Sequence, residues 1–268
     1  TSRGLGDVYK RQFQPRLREA ALDGLRRFAE ATEGSGTIAV VGLPFLHEDA
    51  LYNTAAVVQS GCVLALVPKT VLPNYREFYE KRQFTSGREL GTGTKEVQVN
   101  GACIPFGTEI VFHDVSSPFS FGVEICEDLW SVIPPSSQLA LLGARAIFNP
   151  SAGTELTGKA AYRRELVKQQ SGRCLCAYVL ASAGVHESTT DVVFGGHSLI
   201  ADNGRLATEG ERFGRESSLI LADVDFERLA AARLSESSFN DSKSLSPAGN
   251  ALHLTVPAEI PCLLYTSD

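Results

Sequence analysis

The chain has 268 residues, of which 43% are hydrophobic and 21% are charged, a composition typical of a globular domain with a substantial core. Its net charge of −6 includes no basic block, which argues against nucleic acid as a partner. Its apolar runs, such as residues 62–67, fall far short of the roughly 20 residues that a membrane-spanning helix needs. The sequence therefore predicts neither a nucleic-acid partner nor a membrane partner.

The six cysteines and five histidines are scattered along the chain. They form no CxxC pair and no HExxH motif. Such spacing is typical of reduced thiols in the cytosol rather than of a disulfide framework or a zinc site. We therefore predict a cytoplasmic protein without a metal site.

The two ends of the sequence differ in character from its middle. The first residue is Thr1, Met is absent, and residues 1–12 and 262–268 read like translated sequencing adapters. We predict that both segments are foreign to the natural protein. Natural sequence is then expected to begin near Phe13, to end by about Pro261, and to be missing on both sides.

In chain order, the hydrophobic pattern alternates between helices and strands. Apolar residues at helical spacing predict a helix at 15–32. Further helices are predicted at 136–144, after Pro134-Pro135, and at 159–173. Short apolar runs predict strands at 37–43, 55–59, 62–67, 96–100, 109–115, 119–125, 144–152, 176–184, 191–201 and 217–225. Tight turns are expected at Ser60-Gly61 and Asn203-Gly204. Residues 72–80 fit either a short helix or a structured loop.

This alternation, with mostly continuous apolar strands, predicts the α/β class, in which helices cover the sheets. From Phe226 the pattern weakens, and the sequence becomes rich in Ser and Asn. We therefore predict a domain over 13–225, followed by a linker over 226–261.

Two polar residues stand where predicted buried strands end. Cys126 follows strand 119–125, a placement that gives a nucleophile rigid support and nearby backbone N–H groups. A lone cysteine there is nevertheless more often a small buried hydrophobe, the interpretation we adopt for Cys62, Cys103, Cys174 and Cys176. Lys69 follows strand 62–67 and is either a solvated surface charge or a cation that stabilises a thiolate and an oxyanion. Spacing alone leaves both interpretations open.

Three long runs resemble one enzyme family. They are PKTVLPNYREFYEKRQFTSG at 68–87, FGVEICEDLWSVIPPSSQLALLGA at 121–144, and the run that starts NPSAGTELTGK at 149–206. In this order they resemble the nitrilase superfamily and, within it, the glutaminase domains of glutamine-dependent NAD synthetases. Several long motifs in order are more specific than any single motif. The resemblance implies a nitrilase-like four-layer α-β-β-α sandwich whose first strand is missing here.

The resemblance also assigns roles to seven residues. Within the superfamily's Glu-Lys-Cys triad, Cys126 resembles the nucleophile and Lys69 the lysine. Glu80 resembles a supporting glutamate, and the backbone N–H of Glu127 is a candidate oxyanion donor. The residues that resemble substrate-binding positions are Tyr75, Gly153 and Lys159, with Gly153 standing where the family usually has Ser. His197 matches the family too, and we interpret it as a structural residue.

The triad glutamate lies in the family upstream of the helix predicted from Pro15. We therefore expect it to be absent here, and the chain as given to bind substrate with little turnover. Steady glutaminase turnover by this chain would contradict that expectation.

The resemblance implies hydrolysis of L-glutamine to glutamate and ammonia. In the family, the ammonia reaches a C-terminal synthetase domain that converts deamido-NAD to NAD. No SGGxDS-type phosphate loop occurs in this sequence. We therefore expect no cofactor in this domain, with ATP and Mg²⁺ bound only in the absent synthetase domain. The family also implies a homo-oligomer.

Three other interpretations remain. A stand-alone nitrilase-like amidase would act on another ω-amide or on a carbamoyl compound. A Cys–His amidotransferase would need a Gly-x-Cys-x-Gly elbow, whereas Cys126 is flanked by Ile125 and Glu127. A catalytically dead scaffold for subunit contacts would have no need to retain Cys126 and Lys69.

Overall fold

The computed structural model describes residues 13–91, 93–189, 192–245 and 251–257. The terminal segments predicted to be foreign, 1–12 and 262–268, lie outside these described residues. Within the described part of the chain, no helix is both long and apolar enough to cross a membrane.

The first sheet has five strands and is covered on its outer face by one helix. Helix α1 (Pro15–Ala31) turns Leu25 and Ala29 inward onto the sheet. The strands run in the order β1-β2-β3-β5-β4 and are β1 (Ala39–His47), β2 (Ala50–Gln59), β3 (Cys62–Pro68), β4 (Lys95–Val99) and β5 (Ala102–Phe106). The predicted turn at Ser60-Gly61 is confirmed, since both residues have positive φ, 49° and 83°.

The second sheet has seven strands among the described residues, in the order β11-β10-β9-β8-β7-β6-β12. They are β6 (Ile110–His113), β7 (Ser120–Val123), β8 (Ala146–Ser151), β9 (Ala177–Ser182), β10 (Leu199–Asp202), β11 (Arg205–Glu209) and β12 (Leu252–Thr255). Helices α2 (Pro135–Leu141) and α3 (Lys159–Arg173) pack on its outer face. Strands β7, β8 and β9 are parallel, so their carboxyl ends meet at one edge of the sheet.

The two sheets face each other across an apolar core. Val57 and Val67 of the first sheet pack with Phe112, Phe121 and Val123 of the second. Burying each such side chain contributes about 1.5–3 kcal/mol. With helices on both outer faces, the layers are α-β-β-α, and the predicted fold class is confirmed.

Two strand predictions differ from the structure, and one strand of the first sheet was not predicted. The strand predicted at 191–201 is reduced to β10, because the backbone turns at Gly195 and Gly196, the latter with φ 69°. Residues 217–225 form no strand, and Leu219 and Leu221 are exposed. Strand β5 was not predicted, since its Pro105 is a residue that sheets usually confine to their edges.

The segment predicted to be a linker, 226–261, contains two helices and a strand among its described residues. Phe226–Ser235 forms helix α4, Ser237–Leu245 forms helix α5, and β12 pairs in parallel with β6. Leu229 and Phe239 are buried. The polar composition of this segment reflects its outer face, while a few apolar residues dock it on the domain.

Arg233 of α4 joins this segment to the rest of the fold. Arg233 is 93% buried, and its guanidinium lies 4.8 Å from the ring centre of Phe239. It donates hydrogen bonds of 2.6–3.2 Å to the carbonyl oxygens of Ala140, Ala144, Cys174 and Leu175. These carbonyls lie at and beyond the carboxyl ends of α2 and α3, where helices leave acceptors unsatisfied. Burial lowers the pKa of Arg233 to about 10, and it remains a cation at neutral pH.

We expect Arg233→Met to lower the free energy of unfolding by at least about 3 kcal/mol, because four buried carbonyl groups lose a charged donor. The measurement is urea denaturation followed by circular dichroism. The matched control is Arg27→Met in α1, whose ion pair with Asp23 faces water and contributes little. Equal stability of the two variants would contradict this role of Arg233.

Candidate active site

Cys126 lies at a sharp bend where the chain leaves the second sheet. Strand β7 ends at Val123, and a short 3-10 helix begins at Cys126. The φ of Cys126 is 47°, a left-handed conformation that is strained for a residue with a side chain. Its backbone N–H donates to Oδ1 of Asn149 at 2.6 Å. The bend leaves the Cys126 thiol half-buried and open to the cavities on either side.

Lys69 and Glu80 form a buried ion pair at the end of β3. The Lys69 Nζ lies 2.5 Å from Oε2 of Glu80, and both side chains are at least 98% buried. Asn53 donates to the other Glu80 oxygen at 2.7 Å. Burial lowers the pKa of Lys69, but the negative charges of Cys126 and Glu80 outweigh it and raise the pKa above its ordinary value. Of the two interpretations of Lys69 that the sequence left open, the solvated surface charge is therefore wrong.

The carboxylate of Asp128 connects the two segments. It accepts hydrogen bonds from the backbone N–H of Ile125 at 2.9 Å and of Val71 at 2.7 Å. It also accepts the N–H of Thr70 at 3.1 Å and its hydroxyl at 2.7 Å. Asp128 thereby ties the segment after β3, which carries Lys69, to the segment after β7, which carries Cys126.

Cys126 borders two cavities. The inner cavity, of about 550 Å³, is lined by Lys69, Asn53, Phe84 and Cys126 among others. The outer vestibule, also of about 550 Å³, is lined by Cys126 together with Tyr75, Glu127, Trp130, Gly153 and Lys159. The thiol is therefore placed between an interior charge pair and a surface opening.

The vestibule carries opposite charges on two of its lining residues. The Tyr75 hydroxyl donates to Oε1 of Glu127 at 2.7 Å, and burial raises the pKa of Glu127. Lys159, the first residue of α3, has its Nζ 5.4 Å from the ring centre of Trp130 and 5.8 Å from that of Phe78. Burial, with the neighbouring charge of Arg163, lowers the pKa of Lys159. An anion and a cation thus line the same opening.

The structure brings the seven predicted site residues together. A side-chain carbon added to Gly153 would lie 3.6 Å from Nη2 of Arg163, an ordinary contact, so a serine would fit there. The adjacent hydroxyl, of Thr154, accepts from Lys159 Nζ at 3.1 Å and donates to Glu77 at 2.8 Å. His197 is fully buried, with its ring nitrogens bonded to Arg163 and Glu209, as a structural residue would be.

Several residues of the site were not predicted. Asn149 precedes the end of β8 by two positions, on the sheet edge that also bears Cys126. A polar side chain within a buried strand, as at Asn149, is a sequence signal of a functional role. Trp130 and Phe78 gave no such signal, since their contact with Lys159 depends on the fold. The described residues contain no cluster of three or more His, Cys, Asp or Glu suited to a metal ion.

Comparison with known proteins places this geometry in a family. Residues 8–234 match the model of the carbon-nitrogen hydrolase family. The glutamine-dependent NAD(+) synthetase of Mycobacterium tuberculosis H37Rv is 42% identical over 233 residues, 86% of this chain and 34% of that protein. The protein of that name from Thermotoga maritima is 31% identical over 205 residues, 76% of this chain and 31% of that protein. The chain thus spans about one third of the length of these curated relatives.

Solved structures show the same fold. A glutamine-dependent NAD(+) synthetase from Cytophaga hutchinsonii superposes with a TM-score of 0.68 at 27% identity, over 80% of this chain and 33% of that one. A carbon-nitrogen hydrolase from Helicobacter pylori G27 has a TM-score of 0.66 at 18% identity, over 84% of this chain and 75% of that one. With the family model covering most of its length, the chain belongs to the carbon-nitrogen hydrolase family.

Proposed function

We propose that this chain is the cysteine-dependent glutaminase domain of a protein that hydrolyses L-glutamine to glutamate and ammonia. The observation that carries the proposal is the position of Cys126 between the Lys69–Glu80 pair and a vestibule lined by both Lys159 and Glu127. Free glutamine bears an α-carboxylate and an α-ammonium group. Lys159 complements the first and Glu127 the second, which leaves the side-chain amide directed toward the thiol.

In the proposed mechanism, the Cys126 sulfur attacks the carbon of the glutamine side-chain amide. The Lys69 ammonium and the backbone N–H of Glu127 stabilise the resulting oxyanion. The N–H of Cys126 is already bound to Asn149, so the N–H of Glu127, in the first turn of the 3-10 helix that begins at Cys126, is the backbone donor assigned to the oxyanion. The proton of the Cys126 thiol is transferred to the amide nitrogen by a general base, a role that the family resemblance gives to the triad glutamate. Ammonia then leaves as the carbon–nitrogen bond breaks, and water hydrolyses the thioester, which releases glutamate and returns a proton to the sulfur.

Lys69 acts in this mechanism as a fixed positive charge. Its pKa is raised above the ordinary value by the charges of Cys126 and Glu80, against the effect of burial, so it is protonated at neutral pH. A protonated lysine stabilises a thiolate and an oxyanion but does not accept the thiol proton. Glu80 holds the lysine in place through the 2.5 Å ion pair.

We further propose that the ammonia is used for the synthesis of NAD, with ATP and Mg²⁺ acting outside this domain. The support is that the curated relatives named above are glutamine-dependent NAD(+) synthetases about two and a half times as long as this chain. A homo-oligomer in the cytoplasm is part of the same proposal. The five cysteines of the described residues are free, which favours a reducing compartment.

We expect 6-diazo-5-oxo-L-norleucine, a reactive glutamine analogue, to modify Cys126, and Cys126→Ala to abolish both this modification and any release of ammonia from L-glutamine. The reason is that the analogue needs the same thiol and the same vestibule but not complete turnover. Peptide mass spectrometry locates the label. Cys62→Ala, which removes an exposed thiol of the first sheet, is the matched control. Release from another amide that depends on Cys126, without labelling by the analogue, would instead favour the stand-alone amidase.

We expect Lys159→Met to slow labelling by the same analogue roughly 10- to 100-fold, because a charge-assisted contact contributes about 1.5–3 kcal/mol. Labelling rates as a function of analogue concentration measure the effect. Lys168→Met in the same helix, which removes a half-exposed partner of Glu165, is the control. A similar rate in the two variants would remove Lys159 from amino-acid recognition.

A further inference from the structure

A chain of buried hydrogen bonds leads from Cys126 into the second sheet. Oδ1 of Asn149 accepts the Cys126 N–H at 2.6 Å, and Nδ2 of Asn149 donates to the Tyr178 hydroxyl at 2.9 Å. Tyr178 in turn donates to Oε1 of Glu124, whose other oxygen accepts the Ser136 N–H at 2.7 Å. The side chains of Asn149, Tyr178 and Glu124 are at least 99% buried. No step of the mechanism proposed above involves Tyr178 or Glu124.

The groups at the two ends of this series of hydrogen bonds determine which partner donates and which accepts in each of them. A backbone N–H can only donate, so the amide atom of Asn149 that faces Cys126 must be the oxygen. The amide nitrogen then faces Tyr178, whose hydroxyl accepts this bond and must donate its own hydrogen onward. A carboxylate at position 124 can accept both that hydrogen and the Ser136 N–H. Replacing one of these carboxylate oxygens with a group that donates a hydrogen bond would interrupt the series of donors and acceptors.

Asn149 holds a strained residue. It binds the N–H of Cys126, and its nitrogen lies 3.5 Å from the carbonyl oxygen of the same residue. The left-handed φ of 47° at Cys126 is unfavourable for a side-chain-bearing residue and persists only where its surroundings enforce it. The orientation of the Asn149 amide is therefore part of what keeps the thiol beside Lys69.

We propose that Glu124, acting through Tyr178, is a positioning residue that fixes the direction of the Asn149 amide and thereby holds Cys126 in its strained conformation. This inference rests on the proposed role of Cys126 as the nucleophile. Burial raises the pKa of Glu124 to about 7, and the observed contacts, in which both of its oxygens accept, are those of the ionised form. Neither Glu124 nor Tyr178 lines either of the two cavities.

The test measures the rate at which iodoacetamide alkylates Cys126, quantified by peptide mass spectrometry relative to exposed Cys62 in the same sample. We expect Glu124→Gln to slow alkylation of Cys126 about tenfold. Its amide can accept the Ser136 N–H only by turning its nitrogen toward Tyr178, which leaves the hydroxyl hydrogen without an acceptor or reverses the Asn149 amide. Tyr178→Phe breaks the same chain, and we expect a similar loss. Tyr52→Phe, a buried tyrosine of the first sheet, is the matched control and should behave as the wild type.

A charge-relocating double variant separates positioning from general stability. In Glu124→Gln with Asn149→Asp, both oxygens at position 149 accept, so Tyr178 donates to Asp rather than to residue 124 and the Cys126 N–H keeps its acceptor. We expect this double variant to recover at least half of the wild-type alkylation rate. A purely structural role of Glu124 gives no reason to expect such a recovery, because the double variant still lacks the carboxylate at position 124. Wild-type rates in folded Glu124→Gln and Tyr178→Phe proteins would overturn the proposal, as would failure of the double variant to recover any rate.

The readout is independent of glutamine. Slowed alkylation in Glu124→Gln together with failure of the glutamine analogue to label wild-type protein would leave the positioning role intact and reject the glutaminase. The reverse pattern, normal alkylation in the variants with labelling of the wild type, would reject only the positioning role.

Discussion

The site depends on one buried carboxylate. Asp128 is 99% buried, and burial raises its pKa, an environment that a charge tolerates only when its hydrogen bonds are satisfied. Its oxygens accept from Ile125, Thr70 and Val71. These donors belong to segments that follow strands of different sheets. The packing of the sheets brings the two strand ends near each other, and Asp128 links them through these hydrogen bonds, so that Lys69 and Cys126 line the same cavity.

The two-sheet architecture also explains how the site separates its tasks. On its interior side, Cys126 borders a cavity that Lys69 also lines. Lys69 follows a strand of the first sheet and is held in place by its ion pair with Glu80. The solvent side is formed by the loop that carries Tyr75, the turn after Cys126 and the start of α3. Reactive charge is thus kept in the rigid interior, whereas the groups suited to recognition lie on connecting segments at the surface.

Much of this arrangement could be predicted from the sequence. Helix 159–173 and the strands that precede Lys69 and Cys126 follow from local hydrophobic pattern, which is a property of neighbouring residues. The Lys69–Glu80 pair needed the family resemblance, because nothing in the local sequence around Glu80 indicates that this carboxylate is buried. The contacts of Asn149, Tyr178 and Glu124 could not be predicted, since they join strands that only the fold makes adjacent. The packed helices after Phe226 were missed because few apolar residues dock them.

The position of Lys159 has a consequence for the empty protein. It is the first residue of α3, directly after Gly158, and no acidic residue stands in the first turn of that helix. A cation at the positive end of a helix dipole is unfavourable, and the lowered pKa of Lys159, caused first by burial and then by Arg163, points the same way. A bound anion would relieve this repulsion between the lysine, Arg163 and the helix end. Binding of a carboxylate in the vestibule is therefore expected to raise the thermal stability of the protein. Without a ligand, the protein is less stable because the repulsion around Lys159 is not relieved.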